Sequence, residues 1–447
     1  MTNQLTYLEI DKNNTNINLD KFTNLLTLKI TTDHNEYYSN LKLSKLTYLL
    51  LDGYFLQNFN HLINLRKLKL FSIEISNINS LVYLTKLVLG NVYLKKVKFD
   101  NLTNLEILIF EKNNDIKLTE INSLTRLKKL ILNDNITIQN LNGLKNLTHL
   151  RLINDKIIKC ISHLTNLRKL IMVNNNIITD IYSLTNLRNL ILDTTEIIRI
   201  NNLINLHDLI YYDEKYINVH VHNLTKLTKL QFYHTTCTNN ISQLKNISSF
   251  QMIENNIDIS HWFDNLIELE LIKNSKINDL SLCTRLEMLT LENDYCITDI
   301  SNLTKLTLLR LIYTQIDDIS NLINLKDLIL RKDYYISNIN MLTELTSLEL
   351  TDTIISNIDC LTNLKMLNLF KSKIRNISTL IQLNHLELLN DTEIDNINML
   401  TNLQTVDIIH NNKITSLIGL KRLEIVSTYD EYMIYPKHLP YPVNNGW

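Results

Sequence analysis

The sequence predicts a solenoid of short coils, each adding one strand to a parallel β-sheet. A fixed period predicts it first. The pattern Leu-x-x-Leu-x-Leu returns every 19 to 22 residues, with 22 anchors that begin Leu5, Leu25, Leu46 and end Leu383, Leu403, Leu423. A period of this size marks stacked units that cannot bury an apolar face without neighbours. Alternation predicts it second. In Leu167-Arg168-Lys169-Leu170-Ile171-Met172-Val173, Leu170 and Met172 alternate with Lys169, Ile171 and Val173. On a short strand one set points inward and the other outward. The third observation lies between the strand and the next anchor. Ile177, Ile178, Ile181 and Leu184 return apolar side chains to the coil interior before Leu187 opens the next coil.

Each part of a coil follows from this pattern. The strand occupies the positions just after the anchor leucine, about 4.8 Å from its counterpart in the next coil. A unit near 20 residues leaves too little chain on the far side for an α-helix, so short 3₁₀ turns and extended segments are expected there. The repeats run over 1–428. The segment 429–447 breaks the pattern and holds all three prolines, Pro436, Pro440 and Pro442. Proline cannot continue a sheet ladder, so the segment is expected to be a cap, with Tyr432, Tyr435 and Trp447 on the last apolar face, or a docking peptide in extended conformation.

Over nearly the whole chain the sequence resembles the leucine-rich repeat (LRR) proteins, most closely the short-repeat internalins and SDS22-like phosphatase regulators. The carrying motifs are Leu-Thr-Asn-Leu at 102–105, 164–167, 184–187, 361–364 and 400–403, with Ile177-Ile178-Thr179-Asp180-Ile181 and Ile297-Thr298-Asp299-Ile300. The resemblance implies a right-handed LRR solenoid with its sheet on a concave face that binds partners. It also implies an Asn at the ninth position of each unit, bonding backbone groups at the bend. Asn13, Asn113, Asn135, Asn175, Asn255, Asn274 and Asn411 match it. Asp33, Asp155, Asp294, Asp333 and Asp391 are near substitutes, and Thr195, Thr235, Thr314 and Thr353 weaker ones. Ile73 and Val92 depart outright, and less ordered coils are expected where the row degenerates.

Composition narrows the function classes. With 45% hydrophobic residues and a net charge of −1, the chain is neither a disordered segment nor a general nucleic-acid binder. It contains no apolar run of 18 residues, so no membrane span is predicted. The start, Met-Thr-Asn-Gln-Leu-Thr-Tyr, lacks a secretion signal. An intracellular, cytoplasmic location is expected. The five cysteines (Cys160, Cys237, Cys283, Cys296 and Cys360) have no metal-pair spacing and read as free thiols. In the triplets Asn101-Leu102-Thr103 and Asn146-Leu147-Thr148 the middle residue is a core leucine, so they read as by-products of the repeat rather than glycosylation sites. The chain has no alanine, five glycines and three prolines. That bias points to a very AT-rich genome, such as that of a giant DNA virus of amoebae, a protist or an AT-rich bacterium.

No motif for catalysis is found. The sequence has no Gly-rich phosphate loop, no His-Glu-x-x-His and no Cys-x-x-Cys. His220-Val221-His222 is the only close histidine pair and reads as a coil-filling or surface segment. No metal, cofactor or small-molecule substrate is expected. The candidate site is instead the outward strand face. There Ile109, Ile131, Arg151, Ile171, Ile191 and Ile210 at the fifth position, with Ile153, Val173, Tyr212 and Tyr233 at the seventh, form a largely apolar stripe. A contiguous apolar patch marks a binding surface, although β-branched residues also suit strand centres. Lys67, Lys69, Lys86, Lys128, Lys129, Arg151, Arg168, Lys169 and Arg188 lie in the first half of this face, and Glu268, Glu270, Glu287, Glu292, Glu349, Glu387 and Asp407 in the second, with Arg310, Lys326 and Arg331 as exceptions. Such a division orients a partner. The expected function is a non-catalytic scaffold that binds a protein. The alternatives are an SDS22-like regulatory subunit of an enzyme such as a phosphatase and an internalin-like adhesin.

Overall fold

Every anchor is succeeded, two residues on, by a strand. The computed structural model describes residues 5–11, 17, 19–31, 43–53, 56–94, 98–111, 121–135, 137–197, 199–212, 220–233, 243–254, 263–390, 393–411 and 413–428. Segment 429–447, Cys237, and the ninth-position residues Asn13, Asp33, Asn113, Thr235, Asn255 and Asp391 lie outside them. The chain divides into two compact units, Met1–Leu227 and Thr228–Trp447. Among the described residues of the first, eleven parallel strands run from Tyr7–Ile10 to Asp208–Tyr212. In the second, eleven run from Lys229–Tyr233 to Ile425–Thr428. The chain is thus a parallel-strand β-solenoid, as the period predicts.

The pairing is in register, so like positions stack on like. Leu150 pairs with Leu170 and Leu170 with Leu190 in the first unit. In the second, Leu328 pairs with Leu348 and Leu348 with Leu367. Strand Lys169–Val173 alternates buried and half-buried residues, with Leu170 and Met172 inward. Ile178, Ile181, Leu184 and Leu187 complete the interior, and all are 0% exposed. Burying each such side chain is worth about 1.5–3 kcal/mol. The Leu-x-x-Leu corner is a tight turn: Leu164 N–H donates to Ile161 O at 2.9 Å and Leu167 N–H to Leu164 O at 3.0 Å. Among the described residues there is no α-helix, and the 3₁₀ segments include Leu19–Lys21 and Phe263–Asn265. No helix among them is long and apolar enough to cross a membrane.

At fifteen bends among the described residues the chain leaves its strand through a left-handed residue that is not glycine. Asn154, Asn174 and Thr194 have φ of 52°, 50° and 51°. Such a conformation costs an L-residue about 1–2 kcal/mol. Stacking holds it, because the N–H of Asn154 reaches Val173 O at 3.0 Å and that of Asn174 reaches Asp193 O at 2.8 Å.

One position later comes the polar row. Every buried polar or charged residue among the described residues belongs to it: Asn135, Asp155, Asn175, Thr195, Asn274, Asp294, Thr314, Asp333, Thr353, Ser372 and Asn411. Asn135 Oδ1 accepts the N–H of Ile138 at 2.9 Å while its Nδ2 donates to Ile138 O at 2.9 Å and to Asp155 Oδ2 at 2.7 Å. Threonine and serine take the same buried place, with Thr195, Thr314 and Thr353 as buried as the asparagines. Ile73 and Val92, which depart from the row, are accommodated differently. Both are buried, and a second parallel sheet of three strands, Leu56–Asn58, Glu74–Asn77 and Tyr93–Leu94, lies beside them. Where the side-chain amide is missing, strand pairing between coils satisfies the backbone instead.

Asp155 sits in this row as a fully buried carboxylate. Burial raises its pKa, and the N–H groups of Ile158 and Ile157 and the Asn135 amide oppose the shift only in part. A raised carboxyl favours folding in its neutral form, so stability is lost as pH rises above the ordinary carboxylate range. Asn can make the same backbone bonds without charge. Asn also turns an amide donor toward Asn135 Nδ2, which donates to Asp155 Oδ2 at 2.7 Å. Asp155→Asn is therefore expected to remove the loss of stability between acidic and neutral pH while giving no net gain at pH 7. Opening free energies from hydrogen exchange at the two pH values check this. A variant coil that still loosens as pH rises would refute it.

Candidate functional site

The outward face of the first unit carries three side-chain rows, each set by the register. In the fifth-position row Val88 pairs with Ile109, Ile109 with Ile131, Ile131 with Arg151, Arg151 with Ile171, Ile171 with Ile191, and Ile191 with Ile210. These isoleucines are half-buried, since each is covered on two sides by its neighbours, whereas Arg151 is exposed. In the seventh-position row Ile153 pairs with Val173, but Asp193 then separates Val173 from Tyr212. The stripe is therefore continuous along the fifth row and broken along the seventh. Tyr233 belongs to the second unit, where it pairs with Ile253 and its hydroxyl donates to Gln251 Oε1 at 3.0 Å.

The third-position row is cationic. Lys67 pairs with Lys86, and Lys129 with His149 and then Lys169. Burial, and then the charges of Lys69, Lys129 and Lys67, lower the pKa of Lys86. Burial, then Lys129, Lys169 and Arg168, lower that of His149, which keeps its imidazole neutral at pH 7.

Beside this row, where the chain enters the strands, runs a groove of about 770 Å³. Its walls are Asn146, Asn166, Asn186 and Asn205 on one line and Thr148, Arg168, Arg188 and His207 on the next, with Lys226 at one end. The asparagines are fixed by the coil before: Asn146 Nδ2 donates to Thr125 O at 2.9 Å, Asn166 to Lys145 O at 2.9 Å, and Asn186 to Thr165 O at 2.9 Å. With its amide nitrogen bonded and Leu147 fully buried, Asn146 has a structural role in its triplet.

The outward face of the second unit is acidic. Glu349 pairs with Asn368, Asn368 with Glu387 and Glu387 with Asp407. Burial, then Asp407, raise the pKa of Glu387. Burial raises that of Glu270 while Arg310 opposes it. Arg331 forms an ion pair with Glu349.

No arrangement for bond-making chemistry emerges among the described residues. No group of three His, Cys, Asp or Glu there is able to hold a metal ion. The His220 and His222 rings meet edge to face at 6.5 Å, flanking the buried Val221. Cys283 is buried, and burial pushes its thiol up to about 12, which leaves it unreactive.

The chain matches no protein-family model and no curated protein by sequence. Solved structures do match. TLR13, in its complex with ssRNA13, is similar over 86% of this chain and 67% of that one, at 21% identity and a TM-score of 0.59. The fold is the leucine-rich repeat solenoid. An LRR protein of Leptospira interrogans aligns over 79% of this chain and 86% of its own, at 22% identity and a TM-score of 0.41. The internalin InlF of Listeria monocytogenes aligns over 84% and 90%, at 20% identity and a TM-score of 0.32. At these identities the likeness is one of fold.

Within the LRR frame, sequence reading found the fifth row and the cationic half but missed the groove. Its signal was present as the recurring Asn-Leu-Arg of 166–168 and 186–188. Read only as repeat consensus, those asparagines conceal that they and the arginines line one edge.

Proposed function

We propose that the chain is a non-catalytic scaffold that binds a partner protein on the outward strand face of its first unit. The observation that supports this is the fifth-position row from Ile109 to Ile210, in which in-register pairing aligns aliphatic side chains over six strands with only Arg151 between them. A row of this kind desolvates against an apolar partner surface, and the flanking Lys129 and Lys169 set its orientation. Ile153, Val173 and Tyr212 widen the contact. The reading involves no cofactor, metal, membrane or small-molecule substrate. Folds of this kind that hold an enzyme as a regulatory subunit, in the SDS22 manner, would give a stoichiometric complex.

The test is affinity capture from source-cell or host-cell lysate, comparing the native chain with the Ile131→Glu, Ile171→Glu, Ile191→Glu variant after circular dichroism has established its fold. A protein retained by the native chain and lost by the variant is the expected result. Three charges forced into the contact should weaken binding by at least about 100-fold, at a few kcal/mol for unpaired buried charge. Equal capture by both would mean that the row is only strand propensity. Capture of a phosphatase would favour the regulatory-subunit reading.

A further inference from the structure

We infer that the groove along the strand-entry edge of the first unit binds an extended acidic peptide. The inference rests on the reading of the chain as a protein-binding scaffold and names the chemistry of a partner segment. Arg168 and Arg188 project from successive coils, both exposed, and neither has a carboxylate partner among the described residues. His207 continues the line on the next coil, and Lys226 ends the asparagine line, where its ammonium donates to Asn205 Oδ1 at 2.7 Å. No lining residue is acidic. Lys129 and Lys169 occupy the third position of neighbouring strands, whereas Asp208 holds that position beside His207, so the positive potential is concentrated over Arg168 and Arg188.

Dimensions select the ligand shape. Five coils line the groove, and strands lie about 4.8 Å apart, which gives a length of about 20 Å. An extended chain covers that length in about six residues at about 3.3 Å each. Alternate side chains of such a peptide face the same way about 6.6 Å apart, within reach of two arginines on neighbouring coils. Guanidinium groups take carboxylates in paired hydrogen bonds. The asparagine line is already fixed by its bonds to the previous coil, so the wall needs no reordering when a ligand enters. A single-stranded nucleic acid fits less well. Such ligands are held by stacking on aromatic side chains, and His207 is the one ring in the lining.

The experiment is fluorescence anisotropy at low salt with the full chain and three labelled probes: an octapeptide alternating Glu and Ser, the same peptide with Gln for Glu, and an octamer of uridylate. The acidic peptide should bind, weaken as salt rises, and lose about tenfold or more in affinity in the Arg168→Gln, Arg188→Gln variant. Both arginines are exposed, so the variant should keep its fold, which circular dichroism checks. The Gln peptide should not bind. An Ile131→Gln, Ile171→Gln, Ile191→Gln variant, which alters the strand face without changing its charge, should bind the acidic probe undiminished, which separates failure of the groove from failure of the strand face. Absence of binding, equal binding by the arginine variant, or tighter binding of the uridylate would overturn the inference.

Discussion

Leu170→Ala is expected to cost about 2–5 kcal/mol, felt in the coils from 147 to 190 and not in the second unit. Leu170 is 0% exposed and stacks between Leu150 and Leu190, themselves 2% and 0% exposed. Truncation removes the transfer free energy of the side chain and leaves a void between two coils. Each coil is held by its neighbours through the sheet, so the void cannot close without breaking in-register pairing. The cost is local because a solenoid has only nearest-neighbour interfaces. Opening free energies from hydrogen exchange are the suitable measure, since a long repeat array does not unfold in one cooperative step. Exchange should quicken at the N–H groups of 149–153, 169–173 and 189–193 and stay unchanged at 327–331 and 347–351. A uniform rise along both units would show that the coils are not independent and would overturn this account.

The period and the alternation of two carry the strand positions. The inward set at Leu170 and Met172 and the outward set at Lys169, Ile171 and Val173 are legible because a strand has only two faces. Three features escaped. The left-handed residue after most described strands has no sequence mark. Asn154 and Asn174 tolerate positive φ, but Tyr313, Lys332 and Lys371 take it as well, at φ of 52°, 50° and 49°. The bond to the next coil fixes it, and that bond is a property of stacking and not of the residue. The second sheet at 56–58, 74–77 and 93–94 also escaped, because losing a ladder residue signals what is missing and not what replaces it. Ser372 stands at the ninth position as a buried member of the row, although a serine there resembles no asparagine. The candidate site was legible in its fifth row for the same geometric reason as the fold. Its seventh row was read as part of one apolar stripe, and register instead brings Asp193 between Val173 and Tyr212.

Asn175→Ala is expected to cost about 2–4 kcal/mol, nearly as much as removing a core leucine, although the side chain is polar. Asn175 is 0% exposed. Its Oδ1 accepts the N–H of Ile178 at 3.1 Å and that of Ile177 at 3.3 Å. Alanine leaves the buried Ile178 N–H and the half-buried Ile177 N–H without an acceptor. A buried N–H without a partner carries its full desolvation penalty, about 1–3 kcal/mol each. Conservative substitutions separate that cause from simple loss of volume. Asn175→Asp keeps the acceptor, in the manner of Asp294, whose Oδ1 takes the N–H of Cys296 at 3.0 Å and of Ile297 at 3.1 Å. It should cost less than alanine near neutral pH, and less still on acidification as the buried carboxylate takes up a proton. Asn175→Thr puts in a residue that Thr195 and Thr314 already show to be accommodated, and should fall between the two. Asn175→Leu supplies volume without an acceptor. If the penalty comes from unsatisfied backbone, leucine should be at least as damaging as alanine. If leucine instead restores protection to the amides of 169–173 and 189–193, the row is a packing feature, and the bends are held by the sheet alone.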